Sequence, residues 1–160
     1  MKVSSRHHLR SDEVDQLAET LREHLGVELT GDTIEMVELS DVEYDVILVD
    51  GEPLAWYPEP GEPFLTVKGA NVTNPTEHLV TVDTGAISFV SDGADVMRPG
   101  ITDADPDIEE GDLVVVVEES HGKALAIGRA LTDGPDLLGE EGKVVRSLHH
   151  VGDDLFEFDI

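Results

Sequence analysis

The spacing of hydrophobic positions changes along the chain, and the spacing marks the elements. From Val14, apolar residues recur at Leu17, Ala18, Leu21 and Leu25, the step of one helix face. Ser11 is the expected N-cap, Asp12 and Glu13 fall in the positive first turn, and Gly26 suits a left-handed end. A helix over 11–25 is therefore predicted. Beyond it the elements shorten. Ile34 and Met36 suggest a strand. Tyr44–Val49 is another, ending at the hairpin signal Asp50-Gly51, with Leu54–Tyr57 as its return. YPEPGEP, residues 57–63, has three prolines and one glycine and predicts a loop, with a strand over Phe64–Lys68 after it.

The polar run NVTNPTE, residues 71–77, marks a boundary. Past it, Leu79–Val82 reads as a strand and Gly85–Val90 as a short helix or turn. Ala94–Met97 leads into a Pro99-Gly100 turn. Leu113–Glu118 is a continuous valine-rich run, the pattern of a strand buried on both faces. His121-Gly122 turns the chain into Ala124–Leu131, and 132–141 is an irregular acidic connection. Lys143–His150 and Leu155–Phe158 are the last strands expected. Short strands separated by turns predict a small barrel. The fold class expected is α+β, with a small mixed unit over 1–74 and the barrel over 75–160.

Composition narrows the choice. At 160 residues and 39% hydrophobic, the chain can build one core or two small ones. Without cysteine it holds no disulfide framework and no thiol nucleophile. It has no apolar run near the ~18 residues of a membrane span. Its start, MKVSSRHHLR, lacks an apolar leader region, so a cytoplasmic location is expected. Charge is the extreme feature: 36 Asp and Glu against 10 Lys and Arg, a formal net charge of −26. Lysine occurs only at 2, 68, 123 and 143. A folded core beneath a lysine-poor acidic surface resembles proteins of a high-salt cytoplasm, where molar salt cuts the Debye length to ~3 Å. An acidic domain that avoids nucleic acid has the same composition.

The placement of the acids adds to their number. Stretches 1–11, 63–76, 120–132 and 142–152 contain no Asp or Glu, yet hold eight of the ten basic residues and five of the seven histidines. Brought together, they would make a neutral-to-positive window suited to phosphate. Alternatively, they are buried strands where neither sign belongs.

Catalytic signatures are missing. There is no GxGxxG, GxxxxGK[ST], GxSxG or HExxH, and carboxylate pairs have no diagnostic value in so acidic a chain. His7-His8 and His149-His150 are adjacent pairs that a strand sends to opposite faces, so no metal site is expected from either. DADPDIEEGD, residues 103–112, matches a calcium loop in composition only. Gly85, Gly93 and Gly100 punctuate TGAISFVSDGADVMRPGI, residues 84–101, as turn glycines or as points of close approach. A helix start near Gly85 would offer amides to a phosphate.

GADVMRPGI (93–101), GDLVVVVEESHGKALAIGRAL (111–131) and GKVVRSLHHVGDDLFEF (142–158) resemble a PUA domain, the module of pseudouridine synthases and archaeosine transglycosylases. The whole chain resembles archaeal stand-alone PUA proteins, which are similar to eukaryotic translation factors of the malignant T-cell amplified sequence type. Residues 1–72 look like that family's pre-PUA domain, through the basic start, the first helix and EYDVILVDGEPL (43–54).

The resemblance implies a non-catalytic RNA-binding protein that takes the acceptor end of tRNA, or rRNA, in translation. The small ribosomal subunit or a translation factor is the implied partner. An accessory component that delivers RNA to a separate modification enzyme is the alternative. Neither a membrane nor DNA is an expected partner, and no cofactor is implied. The implied RNA face includes Gly85 and Ala86, then Gly93, Ala94 and Asp95, then Met97, Arg98, Pro99 and Gly100. Arg98, Arg129, Lys143 and Arg146 would contact phosphate. Met97 either fills the core, the favoured place, or meets a base. His149 or His150, whichever faces out, would stack on one.

Overall fold

A computed structural model describes all 160 residues. Its eleven strands and three helices follow the order β1 (Val3–His8), α1 (Ser11–Leu25), β2 (Ile34–Leu39), β3 (Asp45–Val49), β4 (Glu52–Glu59), β5 (Glu62–Leu65) and α2 (Val67–Thr73). The second half continues with β6 (Leu79–Val82), α3 (Ile87–Ser91), β7 (Val96–Met97), β8 (Ile101–Ala104), β9 (Leu113–Glu118), β10 (Ala124–Ala130) and β11 (Lys143–His150). The α+β class is as expected.

Helix α1 covers the predicted span and buries Leu17, Leu21 and Leu25. Its start differs by one residue. Ser11 is already helical, and the preceding Arg10 gives its amide hydrogen to the Glu13 carboxylate at 3.0 Å. Gly26 ends the helix at φ 68°.

Strands β1 to β5 form an antiparallel sheet in sequence order. The stretch 57–63 is not a loop. β4 runs through it to Glu59 and turns directly into β5, with Glu59 opposite Glu62. The strand expected over Phe64–Lys68 ends at Leu65, because Thr66 caps a helix there. Its hydroxyl accepts the Gly69 amide at 3.0 Å and donates to the Pro53 carbonyl at 2.8 Å. Nor is Leu155–Phe158 a strand. The Asp153 carboxylate accepts the amides of His150 and Phe156 and folds the tail into a turn.

The second sheet has the order β7-β11-β10-β9-β6-β8, with β6 and β9 parallel and the other pairs antiparallel. β7 and β8 lie at opposite ends of that order, yet only Arg98–Gly100 separate them in the chain. Three residues span about 10 Å at most. The sheet must therefore curl until its ends meet, and the 98–100 turn closes it into a barrel.

Two apolar clusters result. Val114 and Val116 of β9 face the barrel interior, while Leu113, Val115 and Val117 face the N-terminal half, with Leu155 and Phe158 of the tail. This two-sided burial is why the run carries no polar alternation.

Candidate nucleic-acid interface

An open groove of about 610 Å³ lies where the barrel closes. One wall is the 3-10 turn Thr84–Ala86 running into α3; the other is the chain through 94–100; Lys143 of β11 stands at the end. From the first wall come Gly85 and Ala86. The second contributes Ala94, Asp95, Met97, Pro99 and Gly100. Eight of the thirteen residues expected on an RNA face, counting Lys143, thus meet here.

Phe89 of α3 also lines the groove and is 67% exposed. Nothing in the spacing of ISFVS marked it, although a large aromatic beside the inward Val90 of a one-turn helix is a usable signal. Met97, favoured for the core, is instead 50% exposed, because its neighbour Val96 fills the interior position. Two apolar side chains thus stand in solvent over a floor of small residues. Gly85 leaves room, since a Cβ there would meet only Asp83 Oδ1 at 3.4 Å. Gly100 packs against Ala86, at 3.2 Å from where its own Cβ would stand.

The polar groups are held in place. The Asp95 carboxylate accepts the Ser147 amide at 2.8 Å and pairs with Lys143 Nζ at 3.4 Å. Asp83 Oδ1 accepts the Ala86 amide at 3.0 Å, and Glu119 approaches the Thr84 amide at 3.4 Å. Of the amides at the helix start near Gly85, those of Thr84 and Ala86 are therefore met by carboxylates.

Five expected residues lie outside the groove lining. Arg98 turns away and braces the 132–142 connection, donating from Nε to the Asp136 carbonyl and from Nη1 to the Glu141 carbonyl, both at 2.9 Å. Arg129, its side chain 16% exposed, donates from Nη1 to Glu62 at 2.8 Å and to the Gly111 carbonyl at 2.7 Å. Gly93 serves the fold: its φ is 95°, and a Cβ would fall 2.7 Å from His150 Nε2. Arg146 is exposed on β11 and has no ion-pair partner.

His149 is the clearest departure, at 1% exposure. Its Nε2 accepts the Val67 amide at 3.1 Å, so the ring hydrogen sits on Nδ1, which donates to Asp153 at 2.8 Å. The ring also meets Trp56 edge-on, with centroids 5.5 Å apart. Burial works against the charge of Asp153, but the His149 ring hydrogen and the amides of Phe156 and His150 outweigh it and hold that carboxyl below the usual range. His150 is half-buried, and its Nδ1 faces the carbonyls of Ser91 and Val151.

The acid-free stretches do not form one positive window. Three of them, as α2, β10 and β11, meet in the seam between the halves, where Asn71 exchanges hydrogen bonds with Ala124 and His149 holds Val67. Their apolar positions are largely packed, while Lys143 and Arg146 of β11 stay exposed. The fourth, β1, is the outer edge of the other sheet, where Arg6 pairs with Glu35 at 2.8 Å.

A second cleft, about 500 Å³, lies between α1 and the barrel and is lined by His24, His78, Asp107, Glu109 and Asp112. It is walled by carboxylates and offers no exposed apolar platform.

A sheet closed by a three-residue turn, with a small apolar groove at the closure, defines a PUA-type barrel. The PUA-domain family profile matches residues 78–152. The chain belongs to the PUA-protein family that includes translation machinery-associated protein 20. It is 32% identical to that protein of Saccharomyces cerevisiae, over 79% of this chain and 73% of the relative. It is 43% identical to an uncharacterized protein of Methanocaldococcus jannaschii, over 72% of each. The crystal structure of a hypothetical protein from Pyrococcus horikoshii superposes with a TM-score of 0.85 at 32% identity, covering 96% of this chain and 98% of the other. Membership in this family supports an RNA-binding role. No helix is long and apolar enough to cross a membrane.

Proposed function

We propose that the chain is a non-catalytic RNA-binding protein of translation that seats an unpaired end of structured RNA in the groove at the barrel closure. The acceptor end of tRNA is the first ligand in view and rRNA the second, with the small ribosomal subunit or a translation factor as partner. The observation that carries this is the groove itself: Phe89 and Met97 stand exposed over small residues, a surface suited to base stacking.

Charge supports the same mode. On a chain of net charge −26, with Lys143 already paired to Asp95, counterion release is a weak source of affinity. Stacking and shape survive the concentrated salt for which this acidic, lysine-poor surface is suited. Kinship with translation machinery-associated protein 20 directs the proposal to translation.

The test is tRNA binding in molar KCl, comparing intact acceptor ends with transcripts lacking the terminal nucleotides. Intact ends bind better, and Phe89→Ala weakens them by about tenfold, as expected for one lost stacking contact. Equal binding of both transcripts, with no effect of Phe89→Ala, rules the groove out. Co-purification with ribosomal subunits supports the translation role; capture of a tRNA-modifying enzyme in their place supports delivery to such an enzyme.

A further inference from the structure

The outer edge of the first sheet has no partner. β1 ends the order β1-β2-β3-β4-β5 on one side, and five of its six residues are exposed. The Leu9 amide bonds the Ile34 carbonyl at 3.0 Å. Antiparallel ladders alternate, so His7 and Ser5 also face β2, and Arg6 and His8 turn their N–H and C=O groups outward. Such groups are a template for another strand, which proteins guard with proline, bulges or charge. β1 has no proline, and its one irregularity lies at the start of the strand, between Val3 and Ser5. Charge is the remaining guard, and in molar salt it reaches only ~3 Å.

Charge favours one kind of strand. The chain carries 36 acidic residues, yet none falls within 1–11, where Lys2, Arg6, His7, His8 and Arg10 are all exposed. Arg10 is held by Asp12 and Glu13. Arg6 gives Nε and Nη2 to Glu35 at 2.8 and 3.1 Å, and its Nη1 makes no bond within the protein. Arg6 and His8 share one face of the sheet with Val37 and Glu35, while His7 lies on the other with Met36. We propose that β1 takes up an extended acidic segment of another protein, as a sixth strand on a sheet of five. Carboxylates at alternate positions then meet Arg6 and His8 on one face, and those between them meet His7 on the other. Imidazole gives an N–H to a carboxylate whether neutral or protonated. Opposite charges across a ladder add to its stability and like charges subtract, so a basic strand is disfavoured. Molar salt screens the long-range repulsion of the acidic body and spares groups in contact. The site lies on the N-terminal sheet and needs nothing from the groove.

The test uses the isotope-labelled full chain in molar KCl and two short peptides, one alternating glutamate with threonine and one alternating lysine with threonine. Amide hydrogen exchange at Arg6 and His8 is followed by NMR. The glutamate peptide slows both amides and binds about tenfold more tightly than the lysine peptide. His8→Pro removes one outward N–H at an edge position, where proline is tolerated, and weakens binding by about tenfold. Equal binding of the two peptides overturns the choice of an acidic segment. Binding that leaves the Arg6 and His8 amides as they were, or that survives undiminished in a folded His8→Pro, overturns strand addition. Absence of binding at millimolar peptide overturns the site. Exchange that slows with protein concentration alone makes a second copy the occupant, and slowing by a hairpin RNA but by neither peptide makes it RNA; either result overturns the proposal. Where His8→Pro melts below wild type, the exchange of the wild-type amides decides alone.

Discussion

Replacing His149 by alanine separates two incompatible roles for that ring. On an RNA surface, its loss would weaken RNA binding and leave stability untouched. In the seam, its loss acts on the fold. The Val67 amide, 0% exposed, is left without an acceptor, which costs about 1–3 kcal/mol. The ring volume beside Trp56 becomes a cavity, which costs about 2 kcal/mol more. Together these give about 4 kcal/mol. In a domain of this size each kcal/mol shifts the melting temperature by roughly 2–4 °C, so the midpoint falls by about 10 °C. Thermal unfolding followed by circular dichroism in concentrated KCl measures it. His149→Phe fills the space but offers no acceptor, and falls between the two. A His149→Ala midpoint within about 2 °C of wild type would refute the seam assignment, as would a loss of RNA affinity at unchanged stability.

Other outcomes follow from the same contacts. In Gly69→Ala the new Cβ would lie 1.8 Å from the Leu54 carbonyl oxygen; we expect a loss of about 3 kcal/mol or failure to fold, read by denaturant titration. Arg98→Met frees the 132–142 connection, so limited proteolysis there accelerates while RNA affinity stays near that of wild type. Asp153 titrates below its unfolded value, so its stabilisation is complete above the ordinary aspartate range and is lost as pH falls through the folded value. Asp153→Asn therefore flattens the acid limb of a stability-versus-pH curve, and an unchanged limb would count against the pairing with His149.

Much of this fold is legible in the pattern of residues. α1 shows because its leucines repeat at helical spacing above a left-handed glycine, and β9 shows because a strand covered on both sides needs no polar positions. Among the segments misread, three have clear physical reasons. β1 is exposed on both faces as an edge strand, so it has no alternation to detect. α2 is seven residues rich in valine, threonine and glycine; the Thr66 cap and the fit of Gly69 against Leu54 make it helical, and both depend on distant chain. The tail 155–158 is apolar like a strand but is bent by the Asp153 carboxylate. In the site, Gly85 and Ala86 lie across one groove from Ala94, Asp95, Met97, Pro99 and Gly100. The basic residues mislead: the partners Glu62, Asp136 and Glu141 of Arg129 and Arg98 lie 38 to 67 residues away in sequence.

The barrel sheet is a wall common to two cores, and this sets what can be taken apart. Leu113, Val115 and Val117 of β9, with Ala124 and Ile127 of β10, complete the interior of the N-terminal half, while the residues between them complete the barrel. Severing the chain after residue 74 would therefore leave the barrel with a bare aliphatic flank and leave the other half without a floor. The two halves should melt in one transition. Any protein that reuses this barrel must bring its own cover for that flank.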